Sequence, residues 1–336
     1  MPEYLAPGVY VEETSFRAKS IEGVGTSTTG FVGPTRKGPI GGTPELITSF
    51  GDFERIYGGF RNLSFSDAPD RPLNYLAHAV RHYFDNGGSR LYVSRTFQPT
   101  GDDGIARQPS PFVVGTDTDD PANRARFVAR FPGSAGNGRI TVRLFALPAM
   151  VKTLDSAPQG SMLRVISGGT TTHYIKRASG WQDDATPTPG TLDLSGLSPT
   201  DTPGDSAELL TMTVQAEDGD GQVMLYEELG FDPDHPKAIS DVLGLTPSRR
   251  RDALENLFAL EIGTNITAFT LRAGLFGSGD TYIARLAGGN DGNAPQRGSR
   301  TTPGTYEAAL AELETLEDIS IVAAPGHSAY AQFQGI

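Results

Sequence analysis

The sequence predicts an α/β core domain interrupted by a largely β inserted domain and preceded by an extended N-terminal arm. Three observations predict it. Strand and helix patterns joined by short links occur near both ends of the chain, the stretch between them is dominated by turn-punctuated strands, and the opening residues hold one strand-prone segment with no local partner. The corresponding boundaries are 1–25 for the arm, 26–100 for the first part of the core, 101–276 for the insertion and 277–336 for the return into the core.

Within the arm, Tyr4-Leu5-Ala6-Pro7-Gly8 is a turn-prone opening, and Val9-Tyr10-Val11-Glu12-Glu13 alternates valine against tyrosine and glutamate. A lone strand cannot satisfy its own backbone groups, so it needs the edge of a sheet, in its own domain or in another subunit. Thr28 to Gly33 is a short apolar strand closed by Gly33-Pro34, and Pro44 to Ser49 a second strand. Ser49-Phe50-Gly51-Asp52 has the spacing of a capping box with Asp in place of Glu, opening a helix from Asp52 to Tyr57 that Gly58-Gly59 ends. Leu73 to Asn86 is the clearest helix: Leu73, Leu76, Val80, Tyr83 and Phe84 share a face, and Asn86-Gly87-Gly88 stops it. Arg90 to Arg95 comes next as a strand.

Residues 99–123 are rich in Pro, Gly and Asp and read as a linker or long loop. Arg139 to Phe145 alternates as a strand. Two hairpins come after it, one turning at Gly168-Gly169 and the other at Asp218-Gly219-Asp220-Gly221. Residues 182–206 read as a surface excursion. Helical texture returns at 248–261, where Ser248 can cap and Ala253, Leu254, Leu257 and Phe258 share a face. Tyr306, Leu310, Leu313 and Leu316 mark a last helix. The continuous apolar run Ile319 to Ala324 then predicts a strand central in a sheet covered on both faces, ended by Pro325-Gly326.

Composition bounds the function. The chain has 336 residues, enough for two or more domains, with 41 glycines and 24 prolines, the mark of a turn-rich protein. Forty acidic residues against 28 basic ones give a formal charge of −12, which disfavours a nucleic-acid partner; the basic triplet Arg249-Arg250-Arg251 reads as a solvated helix start. Cysteine is absent, which excludes disulfides, thiolate catalysis and Cys-ligated metals. No apolar run reaches the ~18 residues of a membrane span. Met1-Pro2-Glu3-Tyr4 lacks the basic and apolar segments of a signal peptide, so the expectation is synthesis in the cytoplasm and release by another route such as lysis.

No catalytic, cofactor or metal site emerges. His78 and His82 lie four apart on the 73–86 helix, a spacing that can share a metal, but the Glu of the zinc-hydrolase motif is missing and a solvated or interface-facing pair is the better reading. His173, His235 and His327 have no partner that spacing identifies. Gly23 to Ser27 and Gly133 to Gly138 are Gly-rich without being phosphate loops, and Gly-x-Ser-x-Gly does not occur. Asp218-Gly219-Asp220 and Asn290-Asp291-Gly292 contain calcium-type ligands without EF-hand spacing, and a plain turn is favoured. A metal-dependent hydrolase using His78 and His82, or a β-rich shell or adhesin protein, remain as alternative classes.

Tyr4 to Glu13 resembles the opening of contractile tail sheath proteins, and Ile21 to Gly33 continues the match, as does Leu46 to Phe53. Tyr75 to Arg95, with Phe84-Asp85-Asn86-Gly87-Gly88 inside it, is similar to the family's helix, Asn-Gly-Gly and strand; Phe131 to Gly138 is similar to its Pro-Gly-x-x-Gly-Asn turn. Leu286 to Gly292 and Leu316 to Gly326 resemble the return into its core domain. Residues 146–276 resemble no part of it, which fits an insertion on the outside of a tube. Sheath subunits usually continue well past a point matching Gln334-Gly335-Ile336, so the resemblance implies either that the sequence is a fragment or that the rest of the core is supplied otherwise.

The resemblance implies a structural, non-enzymatic subunit of a phage tail or phage-tail-like injection particle. It implies stacked hexameric rings around an inner tube, and contraction that drives the tube through a target envelope. The implied partners are neighbouring sheath subunits, the inner tube protein, and baseplate and terminal cap proteins, with the target membrane met only indirectly and no nucleic acid. The implied intersubunit arm comprises Tyr4, Leu5, Val9, Tyr10, Val11, Glu12 and Glu13.

Overall fold

The computed structural model describes residues 28–330 apart from 69, 116, 118, 150, 186–187 and 195–205. The arm residues 4–13 therefore lie outside the described residues. The fold is mixed α/β with three sheets.

Strand β1 (Thr28–Pro34) is buried throughout, with Phe31 and Val32 pointing to opposite faces. Of the second expected strand only β2 (Leu46–Ile47) pairs. Helix α1 (Phe50–Tyr57) starts where Ser49 Oγ accepts the Asp52 N–H at 3.1 Å. Asp52 does not complete a reciprocal box: its carboxylate accepts from the Thr48 hydroxyl at 2.9 Å and from Arg55. Phe53, Ile56 and Tyr57 form the buried stripe, and Gly58, at φ 90°, ends the helix. Helix α2 (Tyr75–Asp85) begins two residues later than its apolar pattern predicts, because Asn74 takes the cap: its Oδ1 accepts the Ala77 N–H while its Nδ2 donates to Gly59 O at 3.0 Å. Leu73 is left outside the helix and 47% exposed. Strand β3 (Arg90–Thr96) pairs in parallel with the whole of β1 and antiparallel with β2.

Residues 99–123, expected to be a linker or loop, are tied down by backbone pairing. The Arg107 backbone exchanges hydrogen bonds with Ala287 at 2.8 and 2.9 Å, and β4 (Phe112–Val113) pairs with β5 (Arg124–Ala129). Strand β6 (Arg139–Pro148) is longer than its pattern suggests. After α3 (Val151–Ser156), β7 (Met162–Ser167) and β8 (Thr170–Arg177) form the expected hairpin over Gly168-Gly169, both at positive φ, and β9 (Gly180–Gln182) adds to it. Strands β10 (Ser206–Glu217) and β11 (Val223–Leu229) form the second expected hairpin. Helices α4 (Ile239–Val242) and α5 (Arg250–Glu255) come after it.

The expected helix over 248–261 is corrected here. It ends at Glu255, its N-cap is Arg249 with no side-chain bond, and Phe258–Ile262 is instead strand β12, paired antiparallel with β5. Leu254, Leu257 and Phe258 fit one helical face, but Asn256 leaves helical geometry (φ −91°, ψ 97°) and the edge of β5 captures the residues from Phe258 onward. Next come α6 (Ala268–Phe276), β13 (Thr281–Arg285), α7 (Tyr306–Leu313), β14 (Ile321–Ala323) and α8 (His327–Tyr330).

The first sheet runs β14-β1-β3-β2. Helices α1 and α2 cover one face through Phe31, Leu91 and Val93; α7 covers the other through Val32, Tyr306, Ala309 and Leu313. The helix comes so close that a Cβ on Gly30 would sit 2.7 Å from Leu313 Cδ1. The second sheet has the order β13-β6-β10-β7-β8-β9, with β11 also on β10; the third is β12-β5-β4. These two share the largest core, in which Phe127 and Phe258 of the small sheet meet Ile140, Val142, Met212 and Val214 of the large one.

The apolar run at 319–324 also departs from expectation. Strand β14 pairs β1 in parallel, but among the described residues no strand pairs its outer edge, and Ile321 and Val322 are each 50% exposed. Among the described residues no helix is long and apolar enough to cross a membrane.

Candidate functional site

Among the described residues a buried polar cluster grows from the residues that leave β1. After Gly33-Pro34 the chain reads Thr35-Arg36-Lys37-Gly38, and both cations are buried against acids of the β10–β11 hairpin and of the turn after residue 288. Arg36 grips two acids: Nη2 and Nε donate to Asp220 at 2.7 and 3.3 Å, and Nη1 to Asp291 Oδ2 at 3.0 Å. Lys37 Nζ donates to Asp218 Oδ2 at 3.0 Å. The acids lie 181 to 255 positions away in sequence, at the tip of the β10–β11 hairpin and in the turn after residue 288.

Burying charge is tolerable only when every lone pair and proton finds a partner, and here nearly all do. Asp218 Oδ1 accepts the Asp220 and Gln222 N–H groups at 2.9 Å each. Asp291 accepts the Ser64 N–H at 2.8 Å, and the Ser134 N–H and hydroxyl at 2.7 Å each. Burial works against the charge on Arg36, but hydrogen bonds and attraction from Asp220 and Asp291 outweigh it and hold its pKa above the ordinary value. Beside it, Arg95 at the end of β3 lies over the Phe97 ring and, among the described residues, donates its hydrogen bonds to carbonyls: Gly38, Pro132 and Thr35, at 2.6, 2.9 and 3.0 Å. Burial lowers it to about 10, with distant Asp291 and Tyr57 opposing. The segments pass so tightly that a Cβ on Gly133, at φ 138°, would meet Arg36 O at 2.1 Å.

This knot fastens the first sheet to the β10–β11 hairpin and to the 289–292 turn. It offers little for chemistry, because its acids face cations and backbone donors. Asp218-Gly219-Asp220 and Asn290-Asp291-Gly292 are turns, as their composition suggests, and their carboxylates close on Arg36 and Lys37. Among the described residues no group of three or more His, Cys, Asp or Glu is arranged to hold a metal. His78 packs on the Phe60 ring at 4.9 Å, and His82 is exposed. His173 is half-buried with Nε2 unpartnered; burial, then Arg272 and Arg164, lower it to about 4. His235 Nδ1 accepts the Lys237 N–H, and His327 packs edge-on against Tyr306 at 4.8 Å.

Sequence reasoning identified the acidic turns but missed Arg36, Lys37 and Arg95. The available signal was a cationic pair directly after a buried strand, where a solvated loop would normally begin. The arm residues Tyr4, Leu5, Val9, Tyr10, Val11, Glu12 and Glu13 are outside the described residues, so no geometry attaches to them. Among the described residues two surfaces are left uncovered: the outer edge of β14, and one face of the large sheet bearing Phe145, Leu147, Val223, Leu225 and Ile283, each more than half exposed.

No family model matches the chain, and no curated protein matches it. Among solved structures it is similar to the sheath tail protein of Desulfitobacterium hafniense, at 13% identity and a TM-score of 0.33, over 94% of this chain and 45% of that one. The chain thus spans less than half the length of that protein. A likeness this distant assigns neither fold nor function.

Proposed function

We propose that this chain is a structural sheath subunit, which polymerises as stacked hexameric rings around an inner tail tube and contracts to drive the tube through a target envelope. The observation that carries the reading is a strand edge left unpaired among the described residues, in a chain whose opening residues read in sequence as a strand in need of a partner. Strands of a parallel sheet are normally covered on both faces. Among the described residues β14 instead has an unpaired outer edge flanked by two half-exposed apolar side chains, the kind of surface that another strand completes.

In this reading Tyr4, Leu5, Val9, Tyr10, Val11, Glu12 and Glu13 form an arm that adds a strand to a neighbouring subunit, with backbone hydrogen bonds giving affinity and the alternate valines giving register. The family-like segments, in family order, supply the choice of sheath among possible polymers. The α/β core interrupted by a β insertion over 101–276 is part of the proposal. It is supported by a first sheet drawn from residues 28–96 and 321–323, while the strands of the other two lie between Phe112 and Ile262 except for β13, which joins the large sheet from beyond residue 276. The insertion then lies on the outside of the tube. Inner tube, baseplate and cap proteins are the proposed partners, in a phage tail or phage-tail-like particle, and the role is not enzymatic.

Electron microscopy of the native assembly tests the reading, with hollow striated cylinders around a thinner tube as the expected image. A chain lacking residues 1–13 should fold, keep the wild-type circular dichroism spectrum and fail to polymerise. Cylinders of normal length from that deletion would refute the arm.

A further inference from the structure

The β7–β8 hairpin belongs to the stretch 146–276, whose sequence resembles no part of the sheath family. Cross-strand register sets Glu208, Arg164 and His173 in one row across β10, β7 and β8. The adjacent row on the same face is Leu210, Met162 and Ile175, all buried in the largest core. The polar row is therefore the half-buried rim of that core. Helix α6 packs into the same core through Ala268, Leu271, Leu275 and Phe276. Arg272 stands about one turn from both Ala268 and Phe276, so its side chain leaves α6 on the packed face.

Arg164 is matched: its Nε donates to Glu208 Oε2 at 2.8 Å, and its Nη2 lies 2.7 Å from the same oxygen. Arg272 is not. Among the described residues it forms no ion pair, and its Nε is buried without a hydrogen-bond partner. His173 Nε2 is buried and unpartnered as well. The groups feel one another. Burial, then Arg272 and Arg164, work against a proton on His173; burial, then Arg164, work against the charge on Arg272. The further acids that bear on them are Asp184 for His173 and Asp280 for Arg272, both exposed and neither in an ion pair with its cation. Two guanidinium groups and an imidazole thus face one paired carboxylate. A withdrawn cation without a counter-charge is costly. Water would fill the empty hydrogen bonds and leave the charge unanswered.

We propose that Arg272 and His173, with Arg164 beside them, form a binding site for a small free oxyanion of the phosphate type. The planar guanidinium of Arg272 offers parallel N–H donors that match two oxygens of such an ion. His173 Nε2 supplies a third donor once it carries a proton, and an anion in contact with the ring favours that proton. Glu208 stays on Arg164, so the charge that the ion answers is the unmatched one on Arg272. The site stands on this register and charge count and does not rest on the sheath reading.

Titration calorimetry of the full-length chain with inorganic phosphate, in a buffer holding no other oxyanion, should show saturable binding at one site. Arg272→Met should weaken it about tenfold or more, the loss of charge-assisted hydrogen bonds. Arg143→Met removes the same charge from the opposite face of β6 and should leave binding unchanged. Saturating phosphate should also raise the His173 pKa from about 4 by about one unit or more, read from its imidazole resonances. That measurement uses the unmodified chain and holds even where Arg272→Met does not fold. A chain that binds no phosphate overturns the inference, including one whose own carboxylate already fills the site. So does binding that survives Arg272→Met in full or is lost equally in Arg143→Met, and so does a His173 titration indifferent to phosphate. Phosphate binding without cylinders, or cylinders without phosphate binding, would separate this site from the sheath reading.

Discussion

Lys37 and Asp218 are almost fully withdrawn from water, at 3% and 0% side-chain exposure, and each is the other's charged partner. Truncating one member of such a pair strands the other, at a cost of about 3–5 kcal/mol. Lys37→Met should therefore lower the stability read from urea unfolding by about that amount. Lys37→Met combined with Asp218→Asn should recover most of it, because the amide oxygen still accepts the Asp220 and Gln222 N–H groups and no lone charge remains. A double variant as unstable as the single one would show that the pair's charge is not what matters. His173 gives a second test. Its folded pKa is lowered to about 4 against an ordinary 6.5, chiefly by burial, and His235 is lowered by burial as well. The unfolded chain binds these protons first as pH drops, so their contribution is fully present above about 6.5 and is lost progressively toward 4. The melting temperature should fall across that window, and His173→Gln should flatten the fall; an unchanged slope would remove His173 as a cause.

At the scale of elements, local signals decide where segments begin and stop. Helix α1 rests on Ser49, whose hydroxyl oxygen takes the Asp52 N–H. Ser49→Ala should cost about 1 kcal/mol in unfolding free energy, while Ser49→Asp should cost little. Periodicity and stop residues made α2 and both hairpins legible, down to the paired positive-φ glycines at 168 and 169. They failed at 248–261, where Leu254, Leu257 and Phe258 satisfy a helical face and Phe258 to Ile262 also satisfies a strand buried against β5. A short apolar run carries both periods, and the neighbouring sheet edge chooses between them.

On the scale of the whole molecule, the first sheet is joined to the β10–β11 hairpin and the 289–292 turn by residues far apart in the chain. Because Arg36 draws together the hairpin tip and the 289–292 turn, Arg36→Met leaves Asp220 and Asp291 buried without their cation. It should broaden or split the thermal unfolding transition seen by calorimetry, as the sheets lose their common fastening. A transition equally sharp in the variant would show that the shared apolar cores couple the sheets without the knot. The arm deletion belongs to this scale too, since it asks what the outer edge of β14 meets in an assembly.

The order of elements, the turn chemistry, the acidic surface and the lack of cysteine could all be read from the chain alone, because each depends on a residue and its near neighbours. The exposed position of β14, the strand at β12 and the burial of Arg36, Lys37 and Arg95 could not. These depend on which distant segments arrive beside them. An apolar strand is central or peripheral according to its neighbours, and a cation after a strand is solvated or buried according to whether acids 181 and 255 positions away fold back to meet it. Hydrophobic periodicity states how much of a segment must leave water, whereas pairing across the chain states against what, and only the assembled sheets carry that second piece of information.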